Sequence, residues 1–403
     1  MNNRIIRGYI FCIFIFLNMM SFDVVLVSYI PAAITKFIIL SGLLATSNLR
    51  SNSKRNMDIF KVVLIYGILN IVVGVIILPE NLTSENFSSI FSLVVTGYVF
   101  THHNYTRETK NLIIKVLIYA PIGVLILGLV YQLVLNRSIF RFEGGGIYRL
   151  QGASVPAHYG MICFFGIFAQ NISFFIFNKK GIINKIIFLL LFVILYLTGA
   201  RTALLCSIIL TAFYFSKYLK YPTWKKVLAS IIWMGTSILY LIIDNTRNNV
   251  TGDNNELINT SGRTEAWAFF YRRFLDEPVW GIGSGNSSKF MKNSIIEFFI
   301  TPHNEYLRLI VETGLVGACI IIILVVPKLY KNISLNKLKG KNTDFTIAIL
   351  YLTVLIFSIT DNTFATYQFY IPFLLIINYV DFFEQKKSLI RKNNVQKDYT
   401  YIT

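Results

Sequence analysis

Long apolar runs alternate with short polar stretches along nearly the whole chain, and run length carries more information than any helical or strand period. Roughly 20 apolar residues cross a hydrocarbon core as a helix, and on that measure about twelve spans are expected. They fall at residues 8–22, 24–46, 59–78, 87–103, 112–135, 155–177, 182–198, 202–217, 226–243, 309–327, 345–360 and 365–380. The turns between spans one and two and between seven and eight are very tight. Arg4 and Arg7 before the apolar stretch Gly8–Phe22 resemble a signal peptide. A second apolar run follows at once with no small-x-small cleavage site, so the segment reads as an uncleaved first helix. The expected fold is an all-α integral membrane protein, one polytopic domain over residues 1–403. A large outward-facing loop occupies 244–302 between spans nine and ten, and a basic cytoplasmic tail runs over 381–403.

Composition narrows the class. At 55% hydrophobic and 14% charged, with a mean hydropathy of +0.59, the chain has too little polar surface for soluble domains. The net charge of +18 would suit a nucleic-acid binder, but the basic residues sit in clusters between apolar runs, which is topology rather than a binding face. Of the 38 Lys and Arg, 26 fall in alternate loops and tails, which places both termini in the cytoplasm. The other twelve include nine Arg: Arg137, Arg141, Arg149, Arg201, Arg247, Arg263, Arg272, Arg273 and Arg308. Anchoring needs only charge, whereas a planar guanidinium fork also grips phosphate or carboxylate through paired hydrogen bonds. An anion-holding outer face is one reading. Surface ion pairs with Asp253, Glu256, Asp276, Glu277, Glu297 and Glu305 are the other. Cys12, Cys163, Cys206 and Cys319 lie in apolar stretches without metal-ligand spacing and read as small buried hydrophobes, with no metal or cofactor expected.

The 59-residue stretch from Asp244 to Pro302 is far longer than a usual connection and therefore functional in expectation. Its first part, with Arg247, is polar. From Ser261, a helix cap, the sequence SGRTEAWAFFYRRFLDEP turns amphipathic: Trp267, Phe270, Tyr271 and Phe274 follow helical spacing, Arg263 lies in the first turn and Pro278 stops the run. An interfacial helix is predicted. WGIGSGN, Trp280–Asn286, permits a tight backbone path near a ligand, but no strand precedes it and no GKS or GKT follows, so a plain turn is the favoured reading.

TPHNEYLRLIVETGLVG, Thr301–Gly317, is the most specific piece. Thr301 and Pro302 read as N-cap and first helical residue, which puts His303 in the first turn. There the positive dipole end disfavours imidazolium and leaves a neutral ring able to accept a proton; a histidine that merely bonds its own helix end is the bland alternative. In LTGARTALL, Leu197–Leu205, Arg201 sits between apolar runs, where an arginine costs on the order of 2.5–3.5 kcal/mol at mid-membrane and less at the edge. It points to a ligand, unless it snorkels to the interface. IYRLQGASVPAHYG, Ile147–Gly160, adds Arg149 and a His158 read as structural; His102 and His103 read as solvated at the cytoplasmic end of span four.

IYRLQG, TGARTALL, SGRTEAW with WGIGSGN, and PHNEYLRLIVETGLVG, in this order, resemble the O-antigen ligase and polymerase family of bacterial polysaccharide assembly. The resemblance covers mainly residues 145–325. It implies a GT-C-like helical glycosyltransferase of the bacterial plasma membrane, acting on its periplasmic or outer face upon undecaprenyl-diphosphate-linked glycans, without metal or nucleotide sugar. It maps the family's essential arginines onto Arg201 and Arg263, its essential histidine onto His303 and a looser arginine position onto Arg149. Substrate contacts are expected from Arg149, Arg247, Asn304, Glu305 and Arg308. Expected partners are membrane lipid, a chain-length regulator and a flippase, and no nucleic acid. The motifs are common to polymerases, the preferred reading, and to ligases acting on lipid A-core. A transporter of similar span number is the reading from another class, though no internal repeat supports it.

Overall fold

The computed structural model describes residues 3–19, 32–47, 49, 54–77, 84–103, 107–142, 148–179, 181–218, 235, 263–283, 286, 302–333 and 342–380. The expected span at 226–243, the loop's first part at 244–262 and the basic tail lie outside these residues. In chain order the helices are α1 (Asn3–Met19), α2 (Ala32–Thr46), α3 (Lys54–Val72, continued as a π-turn over Val73–Ile77), α4 (Ser84–His102) and α5 (Arg107–Leu135). There follow α6 (Pro156–Asn171, with a π-turn over Ile172–Ile176), α7 (Ile182–Leu197), α8 (Arg201–Tyr218), α9 (Arg263–Asp276), α10 (Glu305–Ile333), α11 (Asn342–Thr360) and α12 (Tyr367–Val380). Every expected span except 226–243 overlaps one of these helices over its described residues. Four of them, covering Met57–Val75, Thr109–Leu135, Pro156–Ile176 and Glu305–Lys331, are long and apolar enough to cross a membrane; most others are shorter apolar helices.

The sidedness of polarity marks a membrane protein. Outward-facing apolar side chains are abundant: Ile182, Ile183, Ile186, Leu189 and Val193 make one lipid-type face along α7, a surface no water-soluble monomer presents on this scale. Polar groups turn inward instead and bond between helices. Asn171 donates to the Thr211 hydroxyl at 3.1 Å, Tyr214 and Thr346 share a bond of 2.9 Å, and Asn378 donates to the Phe100 carbonyl at 2.7 Å. Such bonds join helices where no hydrophobic effect exists to do so.

The hub is α6, buried on almost every face and packed against α5, α7 and α8. Pro121 inside α5 leaves its helix ladder open, and its carbonyl accepts the Tyr159 hydroxyl at 2.7 Å. An aromatic column of Phe164, Phe165, Phe168, Phe357, Phe369 and Tyr214 ties α6 to α8, α11 and α12, with Phe164 to Phe357 and Phe165 to Phe369 each at 5.0 Å between ring centres. A second group centres on α10, which packs against α3, α9 and α11.

Several expectations change. A two-stranded antiparallel hairpin, β1 (Phe140–Phe142) and β2 (Tyr148–Leu150), interrupts the all-α pattern and pairs Arg141 opposite Arg149. It is too short for period-two patterning to reveal. His103 is not solvated: it is buried and stacked on Phe11 at 4.2 Å between rings. Cys12, Cys163 and Cys206 are buried, but Cys319 is exposed on the outside of α10, because an apolar exterior accepts the same residue types as the core.

Candidate functional site

The ends of α7 and α11 and the starts of α6, α8, α9 and α10 gather around one end of the bundle. The tight turn between α7 and α8 is built by Thr198, whose hydroxyl donates to the Leu195 carbonyl at 2.7 Å and accepts the Ala200 amide at 3.3 Å. It is pressed onto α6 at Gly160, where an added methyl would meet the Ala200 side chain at 2.2 Å. Arg201 is thereby fixed as the first, half-buried residue of α8. From β2, Arg149 lays its stem over Gly199 and donates Nε to the Thr198 carbonyl at 2.7 Å, capping the negative end of α7. Next along α8, the Thr202 hydroxyl bonds that of Thr360 at 2.6 Å, which brings the turn starting at Asp361 beside Arg201's helix.

His303 is not inside the first helical turn. α10 starts at Glu305, and Asn304 is the cap, its side-chain oxygen accepting the Leu307 amide at 3.0 Å. His303 precedes the cap in a left-handed conformation, φ 45°, uncommon for a residue with a side chain and a form of strain that collects at functional sites. Asn304 takes the cap because its oxygen reaches the N3 amide just after the sharp backbone turn at His303; Thr301, the expected cap, lies outside the described residues. Trp267 of α9 holds the approach by donating its indole N–H to the Pro302 carbonyl at 2.7 Å.

α9 carries Arg263 as its first residue, as the sequence suggested. Ala266 and Phe270 bury against Ile282 and Val311, with Phe269, Phe274 and Leu307 flanking, while Tyr271 and Leu275 face outward. Gly281 and Gly283 of WGIGSGN lie in the docking run. α10 breaks at Gly314 (φ 62°, ψ −172°), and the turn over Pro278–Gly283 slots into the break. Ile282 and Gly283 donate to the Val311 and Glu312 carbonyls at 2.9 and 3.0 Å; Leu315 and Val316 donate to Pro278 and Val279 at 2.9 and 3.2 Å. A methyl at Gly281 would meet backbone atoms of Gly314 and Val311 at 2.5 Å. Gly281 and Gly314 admit protein backbone to each other's side, and no ligand is needed to explain them.

The electrostatics join what the turns assemble. Burial first, then the Arg263 guanidinium, then His158, push the His303 imidazole down to about 4, so the ring is neutral at physiological pH. Burial also pushes the Asp361 carboxyl up to about 6, against the opposing pull of Arg263 and Arg149. Arg263 therefore acts on both His303 and Asp361, His158 acts on His303 and Arg149 on Asp361, with Arg201 at the head of the adjoining helix. His158, read as structural, belongs to this cluster. Asp361 was not singled out in the sequence; the one signal was an acidic residue closing an apolar run.

The remaining site residues are placed differently. Arg308 is buried inside α10, its guanidinium bonded to Glu305 and, at 2.9 Å, to Glu312. The bland ion-pair reading thus describes Arg308, as it does Arg273 with Asp276 at 3.2 Å. Arg247 lies outside the described residues. Among the described residues no group of His, Cys, Asp and Glu is arranged to hold a metal ion.

A helical membrane protein with arginines, a neutral histidine and a carboxylate gathered at one bundle end is suited to an anionic substrate and proton transfer. Residues 186–322 match a family model described as O-antigen ligase, so the resemblance to the O-antigen ligase and polymerase family is shown over the segment that carries Arg201, Arg263 and His303. The match spans 137 of the 403 residues, and the likeness is to that segment. No curated protein matches the chain.

Proposed function

We propose that the protein is a GT-C-like glycosyltransferase of about twelve spans that polymerises undecaprenyl-diphosphate-linked repeat units at the outer face of the bacterial plasma membrane. The reading is supported above all by one juxtaposition: Arg263 acts on both a neutral His303 and the Asp361 carboxyl, on which Arg149 acts as well. The reaction needs a hydroxyl activated and a diphosphate released. His303 takes the proton of the acceptor sugar hydroxyl, whose oxygen forms a bond to the anomeric carbon of the donor from the face opposite the diphosphate. The anomeric carbon to phosphate-oxygen bond breaks with inversion, and the electron pair stays on the diphosphate.

A leaving group already charged requires cationic stabilisation more than protonation, and Arg201 and Arg263 supply it. Asp361 balances these cations when no donor is bound. Burial is the larger cause of the lowered His303 pKa, and a diphosphate docking against Arg263 offsets the smaller, electrostatic one, so the ring becomes a better base as the donor arrives. The family description favours a second reading of the same chemistry, an O-antigen ligase that delivers the glycan to lipid A-core.

Purified protein given lipid-linked donor and acceptor tests transfer. Extension of the acceptor glycan supports it; no extension, with substrate moved across proteoliposomes instead, replaces it with transport. In a deletion strain, a gel ladder collapsing to a single added repeat identifies a polymerase. Lipid-linked polymer accumulating beside bare core identifies a ligase.

A further inference from the structure

Close after His303 in the chain lies a buried charged assembly. Arg308 (7% exposed) bonds the carboxylates of Glu305 (8%) and Glu312 (2%), one helical turn away on either side. Tyr66, on α3, completes it: its hydroxyl donates to Glu312 Oε2 at 2.9 Å and accepts from Arg308 Nη1 at 3.2 Å. The second oxygen of Glu305 accepts the backbone amide of Phe364 at 3.3 Å. Buried charges of this kind contribute little net stability, because desolvation cancels most of the Coulombic gain; their best-attested use is to fix register between elements. Here the elements are three. The assembly fastens the start of α10 to α3 and to the 361–366 turn.

Both ends of that fastening carry site residues. Glu305 stands two residues after His303, and Phe364 three residues after Asp361. The Glu312 carbonyl receives the Gly283 amide, so the run that docks α9, and with it Arg263, rests on the same helix segment. We propose that Glu305, Arg308, Glu312 and Tyr66 form a positioning network that sets His303 in register with Asp361 and Arg263, and that Glu305 and Arg308 make no contact with substrate. This rests on the transferase reading above, and wild-type glycan extension in the same assay checks that reading separately.

The test is Glu305→Gln in the purified full chain, with kcat, KM and direct binding of the lipid-linked donor measured alongside thermal melting. Gln keeps an oxygen for the Phe364 amide but withdraws the charge that orients Arg308. Misplacement of a catalytic group by about 1 Å costs on the order of a hundredfold, so kcat is expected to fall about that far with KM and donor binding within about twofold. A raised KM at unchanged kcat makes Glu305 a substrate contact and overturns the proposal, as does a variant with wild-type kcat. Should Glu305→Gln fail to fold, Tyr66→Phe decides. It removes a single hydroxyl, remote from substrate, and is expected to lower kcat several-fold at constant KM. Full activity in that variant refutes the network's role, and so does a loss confined to KM.

Discussion

Gly314→Ala perturbs the point at which the outer helix is joined to the bundle. With φ 62° and ψ −172°, Gly314 occupies a region open essentially to glycine, where another residue costs on the order of 1–3 kcal/mol in backbone strain. The added methyl would lie 2.2 Å from the Val279 carbonyl oxygen, 2.5 Å from its carbon and 2.6 Å from the Gly281 nitrogen. All three are backbone atoms, so no side chain can swing aside. Relief requires the Pro278–Gly283 run to lift away, which breaks at least the two bonds donated by Leu315 and Val316, each worth about 0.5–1.5 kcal/mol. Together these give a destabilisation of roughly 2–6 kcal/mol. Because α9 is seated by that run, Arg263 and the Trp267 clasp on Pro302 are displaced with it.

Thermal melting of the detergent-purified protein and glycan extension should therefore fall together. Gly181→Ala is the control, since a methyl there meets nothing closer than 3.9 Å. A Gly314→Ala protein with wild-type melting and wild-type transfer would refute the docked helix break and the route by which Arg263 reaches His303.

Three further outcomes are expected. His303→Ala lowers kcat by about 10²–10⁴-fold, the usual worth of a general base, while donor binding measured by titration persists; lost binding would make the ring a substrate clamp. Arg201→Lys keeps the charge but loses the fork, and transfer should drop about 10- to 100-fold, the cost of a charged hydrogen bond; an active lysine variant would leave Arg201 as an interface anchor. The pH dependence has two opposing parts. His303, held down at about 4 from an ordinary 6.5, contributes stability that is present above 6.5 and lost as pH falls toward 4. Asp361, raised from 3.8 to about 6, contributes stability that is present below 3.8 and lost as pH rises through 6. Asp361→Asn should then raise the melting temperature at pH 8 and unmask a decline between pH 6.5 and 4, and a flat profile in that variant would contradict the His303 assignment.

Apolar run length was enough to find the helices, because a chain in a bilayer must satisfy its backbone within each segment. The same logic exposed Arg201, an arginine too costly to leave between apolar runs without a purpose. The placement of Arg263 at the head of an amphipathic helix was legible from Trp267, Phe270 and Phe274, whose spacing the buried face of α9 repeats in part. His303 was legible as a residue but not in its setting. Cap propensity favoured Thr301, and a left-handed residue ahead of Asn304 leaves no mark in a single sequence.

What the amino-acid order determined here is local: which stretches are helical, which cations stand outside the basic clusters, and which motifs resemble a glycan-transferring family. What only tertiary packing decided is pairing. Asp361, in the turn after α11, lies in the fields of Arg263 on α9 and Arg149 on β2, and Tyr66 meets Arg308 at a separation of 242 residues. Two expected substrate residues, Glu305 and Arg308, became partners to each other and to Glu312. The physical reason is that a charge in a low-dielectric interior takes whichever opposite charge or hydrogen bond the folded helices bring to it. Composition and spacing state that such a charge exists, and three-dimensional proximity assigns it to substrate or to scaffold.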